Sequence, residues 1–234
     1  MRAAVSFLTP FGGARRPGPR TLDWFPVVGA AMGLLLGGLW WATRRIWPAP
    51  LAAGLVVLAD LGITGLLHFD GLVDAADGLL PHLDRDRRLA VMEAPDVGAF
   101  GVGVGGVALL LRWAALAALR PGVLLLGGLW CLSRTGMAIV SRTQPYARGP
   151  GGLAAAFEGP SRLGLLAAGL AGAFALAAGW RVGPGLVSCA AGLGAGVLVI
   201  VLARRRVGGY TGDVLGASGV VAETVGLVVA AARW

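Results

Sequence analysis

The chain contains no lysine: all 20 basic residues among its 234 positions are arginine, set against 12 acidic residues and two histidines. Charge of any kind is scarce, at 14% of residues, where a soluble domain carries roughly 25%. Cys131 and Cys189 stand singly in apolar runs, a pattern that speaks against a disulfide framework or a thiolate metal centre, and both read as small packing residues. What fills the chain instead is apolar: 56% hydrophobic residues, 40 glycines and a mean hydropathy of +0.76. This composition belongs in a bilayer. The fold class it predicts is all-α, a polytopic integral membrane helical bundle of about seven transmembrane helices.

Long runs with few charges place the spans near Pro26–Ala42, Pro50–Leu67, Gly98–Leu119, Pro121–Val140, Leu163–Val182, Gly183–Ala203 and Val214–Ala232. One membrane-embedded catalytic domain over residues 1–234 is expected, with no soluble domain appended. Residues 1–21 lack the apolar core of a cleavable signal and read as an exposed N-terminal arm or a surface-lying segment. The glycines at four-residue spacing, Gly29/Gly33/Gly37, Gly101/Gly105 and Gly192/Gly196, suit close helix packing, within the bundle or in a homo-oligomer.

The net charge of +8 does not point to nucleic acid, because the arginines are distributed by topology. The N-terminal arm and the loops after spans two, four and six hold 13 of them (Arg2, Arg15, Arg16, Arg20; Arg85, Arg87, Arg88; Arg142, Arg148, Arg162; Arg204, Arg205, Arg206), against five on the other side (Arg44, Arg45, Arg120, Arg181, Arg233) and two, Arg112 and Arg134, inside spans. The arginine-rich face is therefore expected to be cytoplasmic. Three polar stretches open onto that face: "HFDGLVDAADGLL" from His68, "QPYARGPGG" from Gln144 and "RRRVGGYTGD" ending at Asp213.

In the first stretch Asp70, Asp74 and Asp77 stand at i, i+4 and i+7, on one face of a helix, where uncompensated like charges repel. A hard divalent ion shared with substrate phosphates would offset that repulsion, and Gly71 and Gly78 beside the cluster would admit a ligand; a solvated face paired with Arg85, Arg87 and Arg88 is the plainer reading. His68 is a ligand, a proton shuttle or an interfacial residue. In "GGYTGD", Gly209 and Thr211 precede a helix start suited to an anion, with Asp213 as an alternative N-cap. Arg142 and Arg148 offer forks for phosphate and Tyr146 a ring for a base. Asp60 lies inside span two, with Arg112 and Arg134 as candidate partners, and Glu223, about 15 Å along the helix from Asp213, would extend a polar cavity inward.

"TGLLHFDGLVDAADGLL", "RRLAVMEAPDVGAFGV", "PYARGPGG" and "GGYTGDVLGA", with "SFLTPF" and "WFPVVGAAMG" at the start, closely resemble the cobalamin synthase family, the adenosylcobinamide-GDP ribazoletransferases, over nearly the whole chain. The resemblance implies a Mg2+-dependent inner-membrane transferase of cobalamin biosynthesis that joins adenosylcobinamide-GDP to α-ribazole or its 5'-phosphate and releases GMP, with its active site facing the cytoplasm. Asp70, Asp74, Asp77 and Asp213 would bind the metal; Asp74, Asp77 and Asp213 would be catalytic; His68, Arg142, Tyr146, Arg148, Gly209, Thr211 and Glu223 would bind substrate. The chain departs from the family pattern at Glu93, where members usually carry a basic residue after the Met. Two other readings stand beside this one. A CDP-alcohol phosphotransferase would place acidic residues similarly, although its Asp, two residues, Asp-Gly, Ala-Arg pattern is not matched. A cation-coupled transporter would rely on Asp60, Arg112, Arg134 and Glu223 as an intramembrane relay.

Overall fold

A computed structural model describes residues 1–13, 15–18, 20–149, 157 and 162–234. Its helices are α1 (Arg2–Leu8), α2 (Phe25–Thr43, entered through a 3-10 turn at Leu22–Trp24), α3 (Ala49–Thr64), α4 (Leu67–Leu79), α5 (Arg85–Val91), α6 (Ala99–Ala118), α7 (Val123–Thr143), α8 (Leu163–Trp180), α9 (Val182–Val207) and α10 (Gly212–Ala230). Six of them, α2 and α6 to α10, are long and apolar enough to cross a membrane, and α3 with α4 forms a sharply bent pair that makes the number up to seven if the pair counts as one span. Leu35, Leu58, Val102, Leu110 and Leu198 are exposed on the outer faces of the spans, as a lipid-facing surface requires.

The second span departs from its sequence reading. α3 ends at Thr64, and the chain turns by 89° into α4. Gly65 (φ 58°) and Leu66 (φ 63°) make this turn in the left-handed region, which Gly65 enters freely and Leu66 enters at a cost of roughly 1–2 kcal/mol. The acidic α4 is thereby diverted from the span and packs against α10 and α6 at the bundle end.

α7 is the central helix, with α2, α8, α9 and α10 against it. Glycines set the closest crossings. A Cβ on Gly29, Gly33 or Gly37 would lie 2.2–2.6 Å from backbone atoms of α7, and one on Gly192 would lie 2.6 Å from Ala222 O on α10. The three predicted glycine stripes therefore serve packing between helices of this chain. In the N-terminal arm, α1 is not free: Ala4 and Leu8 are buried, and Phe7 stacks on Phe25 with ring centroids 5.7 Å apart.

The intramembrane charges close on one another. Arg112 of α6 donates to Asp60 of α3 and to Glu223 of α10; Arg134 of α7 also donates to Glu223. Trp130 Nε1 donates to the second Asp60 oxygen at 2.9 Å, and Ser133 Oγ to Glu223 at 2.6 Å. This buried group of two cations and two anions ties four helices together. Glu223, expected to bind substrate, has its carboxylate engaged in this structure by Arg112, Arg134 and Ser133. The same pairing removes the basis for reading these residues as a transport relay.

Candidate active site

The three polar stretches meet in space. Tyr146 and Tyr210 form an isolated parallel bridge, with Ala147 N donating to Tyr210 O at 2.9 Å, Tyr210 N to Pro145 O at 3.0 Å, and the two rings edge to face at 5.3 Å. Gly209 makes the bridge possible, since a Cβ there would stand 2.1 Å from Pro145 O. Its role, expected in substrate binding, is this close backbone approach. Tyr146 is likewise committed to the joint between the loops. Arg85, not singled out in the sequence beyond a role as a charge partner, ties both of these loops to α5, just after the first stretch, by donating to Ala147 O at 2.6 Å and Val207 O at 3.1 Å. Residues 150–152, the end of "QPYARGPGG", lie outside the described residues.

α4 is held at its C-terminal end by arginines, which satisfy carbonyls that a helix end leaves without partners. Arg88 donates to Gly78 O at 2.9 Å and Leu79 O at 2.8 Å, and Arg206 reaches Leu79 O and Leu80 O. Laterally, α4 crosses α10 at glycines: a Cβ on Gly71 would lie 2.9 Å from Asp213 O, and one on Gly216 3.1 Å from His68 Cα. Gly71 thus serves helix approach, and Gly78 packs on Met92 and Arg88; neither is kept open for a ligand.

This crossing brings Asp70 and Asp74 beside Asp213. Burial, reinforced by the charges of Asp70, Asp213 and Asp77 and only partly offset by Arg148, pushes the Asp74 carboxyl up to about 6. Asp213 is oriented from two sides, its Oδ2 accepting from Arg148 Nη2 at 3.0 Å and from Thr211 Oγ1 at 3.1 Å. Thr211, and not Asp213, caps α10, its Oγ1 accepting from Val214 N at 3.2 Å. Thr211, expected to contact substrate, is fully buried in this structure and serves as the cap. Glu93 forms an ion pair with Arg148 Nη1 at 3.0 Å, so the acidic residue at this unusual position helps to hold the arginine. Arg142 donates to Phe157 O at 2.8 Å, at the edge of the same region.

Asp77 is the member of the acidic row that the structure turns elsewhere. It is buried, and its two oxygens accept the backbone N–H groups of Gly98 at 2.7 Å and Gly101 at 2.9 Å, which anchors the start of α6. Both glycines are required, because a Cβ on either would come within 2.5 Å of the carboxylate. Asp77, expected as a metal ligand and catalytic group, serves in this structure as an anchor between α4 and α6.

Among the described residues, no three of His, Cys, Asp and Glu form a ready-made metal cage. The donor set nevertheless fits a magnesium ion, which takes one or two protein carboxylates and fills its shell with phosphate oxygens and water. Asp70 and Asp74, hard oxygen donors one helical turn apart and mutually repelling, provide that.

Beside the carboxylates lies a cavity of about 200 Å³, lined by Phe7, Phe25, Phe157, His68, Asp70 and Asp213 among others. The phenylalanines carried no signal in the sequence, because they come from three distant segments.

The Cobalamin-5-phosphate synthase family model matches residues 1–231. Proteins named adenosylcobinamide-GDP ribazoletransferase are similar to the chain throughout. That of Chlorobaculum tepidum is 37% identical over 220 residues, covering 90% of this chain and 85% of its own. That of Bradyrhizobium diazoefficiens is 35% identical over 242 residues, 99% and 93%, and that of Syntrophobacter fumaroxidans 36% over 244 residues, 99% and 97%. No solved structure matches the chain. With the acidic α4, the bridged arginine and glycine loops and a family match over almost its full length, this chain belongs to the cobalamin synthase family.

Proposed function

We propose that this chain transfers the adenosylcobinamide phosphate group from adenosylcobinamide-GDP to a hydroxyl of α-ribazole or of its 5'-phosphate, releasing GMP in the late assembly of coenzyme B12. The observation that carries this reading is the meeting of Asp70, Asp74, Asp213 and Arg148 at one end of the bundle in a chain of this family.

The acceptor hydroxyl oxygen forms a bond to the phosphorus on the cobinamide side of the diphosphate. The bond from that phosphorus to the bridging oxygen breaks, and its electron pair leaves with GMP. Asp213 takes the hydroxyl proton; Arg148 and Thr211 fix one of its oxygens and thereby the direction of the other. Arg148, steadied by Glu93, and Arg142 neutralise the diphosphate and the departing phosphate. Mg2+ would be held by Asp70 and Asp74 and, when bound, supplies further charge neutralisation on the phosphoryl oxygens. The 13-to-5 arginine bias supports a cytoplasmic membrane location with the site facing the cytoplasm.

The test is GMP release by purified protein in detergent, with adenosylcobinamide-GDP, α-ribazole and Mg2+ supplied. Turnover that stops on chelation, returns with Mg2+ and is poorly supported by Ca2+ is expected; no GMP with both substrates and Mg2+ present would overturn the reading. Cysteines introduced at Arg87 and Arg205 should label from the cytoplasm and those at Arg120 and Arg181 from outside, against the low background of buried Cys131 and Cys189.

A further inference from the structure

The cavity beside the carboxylates is built for a flat aromatic ligand. Phe7 and Phe25 stack at 5.7 Å, and Phe157 stands edge-on to both, at 5.4 and 6.5 Å. Edge and face contacts of this kind leave ring surfaces suited to a further aromatic plane. The volume is about 200 Å³. A dry cavity of about 150 Å³ accepts benzene, so this one has room for a bicyclic ring but not for a corrinoid or for a whole nucleotide.

Polar side chains interrupt the apolar lining. His68 is 6% exposed and lines the cavity, and its Nε2 has no hydrogen-bond partner. Asp70 and Asp213 line the same cavity, so a ligand seated among the rings has its polar end at the reacting groups.

We propose that this cavity receives the bicyclic heteroaromatic base of the acceptor nucleoside, with a ring nitrogen hydrogen-bonded to the His68 imidazole in its wall and the sugar directed toward Asp213. This inference rests on the transfer reaction proposed above. It assigns the aromatic rings and His68 to acceptor selection, and it separates the acceptor from the arginines that hold the diphosphate. Phe7 makes α1 part of the acceptor site.

The experiment compares the KM for α-ribazole with that for adenosylcobinamide-GDP in His68→Ala and Phe7→Leu. The acceptor KM should rise about 30-fold in His68→Ala, as expected when one hydrogen bond is lost and its partner is left unsatisfied, with the donor KM within about threefold of wild type. Equal rises for both substrates, or no rise for the acceptor, overturn the inference. A second measurement does not depend on those variants folding: Ser141→Cys places a thiol on the cavity wall, and α-ribazole, but not ribose 5-phosphate, should slow its maleimide labelling in the full-length protein. Equal labelling rates with the two additives overturn the inference as well. If wild-type protein releases no GMP from the two substrates, the reaction itself is refuted; if it does release GMP while the acceptor readouts stay flat, only the base pocket is refuted.

Discussion

Replacing Asp74 by asparagine separates the electrostatics of the site from its chemistry. In the folded protein the Asp74 carboxyl is pushed from its ordinary 3.8 to about 6, first by burial and then by Asp70, Asp213 and Asp77. At about 1.36 kcal/mol per pH unit this displacement corresponds to at most about 3 kcal/mol against the ionised form. The side chain is partly exposed to water, which screens the interaction and reduces the working figure to about 1 kcal/mol. The sign follows from linkage. Below pH 3.8 the carboxyl is neutral in folded and unfolded chains and costs nothing, whereas above about pH 6 it is ionised in both and the full cost is present. Without metal, Asp74→Asn should therefore be more stable than wild type at pH 7, and the advantage should vanish as pH falls toward 4. With Mg2+ the order should reverse, because the ion stabilises only a chain that binds it. GMP release should fall by on the order of 100-fold or more, as expected when several kcal/mol of charge stabilisation are lost. Asp84→Asn is the control: Asp84 caps α5 by accepting from Arg87 N at 2.9 Å, a role asparagine fills, and its rate should change less than about threefold. Thermal denaturation in detergent with and without Mg2+, together with GMP release, decides the matter. An Asp74→Asn protein with wild-type turnover and an undiminished response to Mg2+ would refute the reasoning.

Because protons compete with the metal for Asp74, the half-saturating Mg2+ concentration should rise about tenfold per pH unit below about 6 and level off above it; a flat Mg2+ requirement from pH 5 to 7.5 would count against Asp74 as a ligand. Asp77→Asn should behave oppositely to Asp74→Asn, losing about 1–3 kcal/mol because an amide N–H would face the N–H of Gly98 or Gly101, while folded protein keeps its Mg2+ response. Gly71→Ala keeps every chemical group yet forces α4 from α10, where the new methyl would meet Asp213 backbone atoms at 2.9–3.0 Å. Turnover should drop about tenfold or more, whereas Gly62→Ala, with open space around it, should be silent; equal rates for the two would show that the crossing does not set the carboxylate spacing.

The sequence was most legible where physics acts along one helix. Apolar runs located the spans, and the arginine bias put the polar stretches at one end, where the Tyr146–Tyr210 bridge now joins two of them. It was least legible where a partner arrives from elsewhere in the chain. Spacing places Asp77 on the same stripe as Asp70 and Asp74, yet the N–H groups that claim it lie 21 and 24 residues downstream. Gly71 looked like room for a ligand because nothing in "HFDGLVDAADGLL" shows that α10 passes there. The 89° turn was hidden for a different reason: Leu66 enters the left-handed region against its own preference, an outcome imposed by packing.

The chain treats its carboxylates in two opposite ways, and the contrast bears on function. In the bundle interior, Asp60 and Glu223 meet Arg112 and Arg134 in equal number, so the group closes on itself and asks for nothing from outside. At the bundle end, the three acidic neighbours that raise the Asp74 carboxyl outweigh the pull of Arg148, which is itself divided between Asp213 and Glu93. Repulsion of that kind is tolerable only where water screens it, at the edge of the membrane. A fold able to neutralise carboxylates so completely a few turns away leaves these ones under-compensated, at the place where a cation and a diphosphate could enter together. The residual negative charge would favour such a cation, and the cation in turn would make room for the phosphates, so that binding of each would support the other.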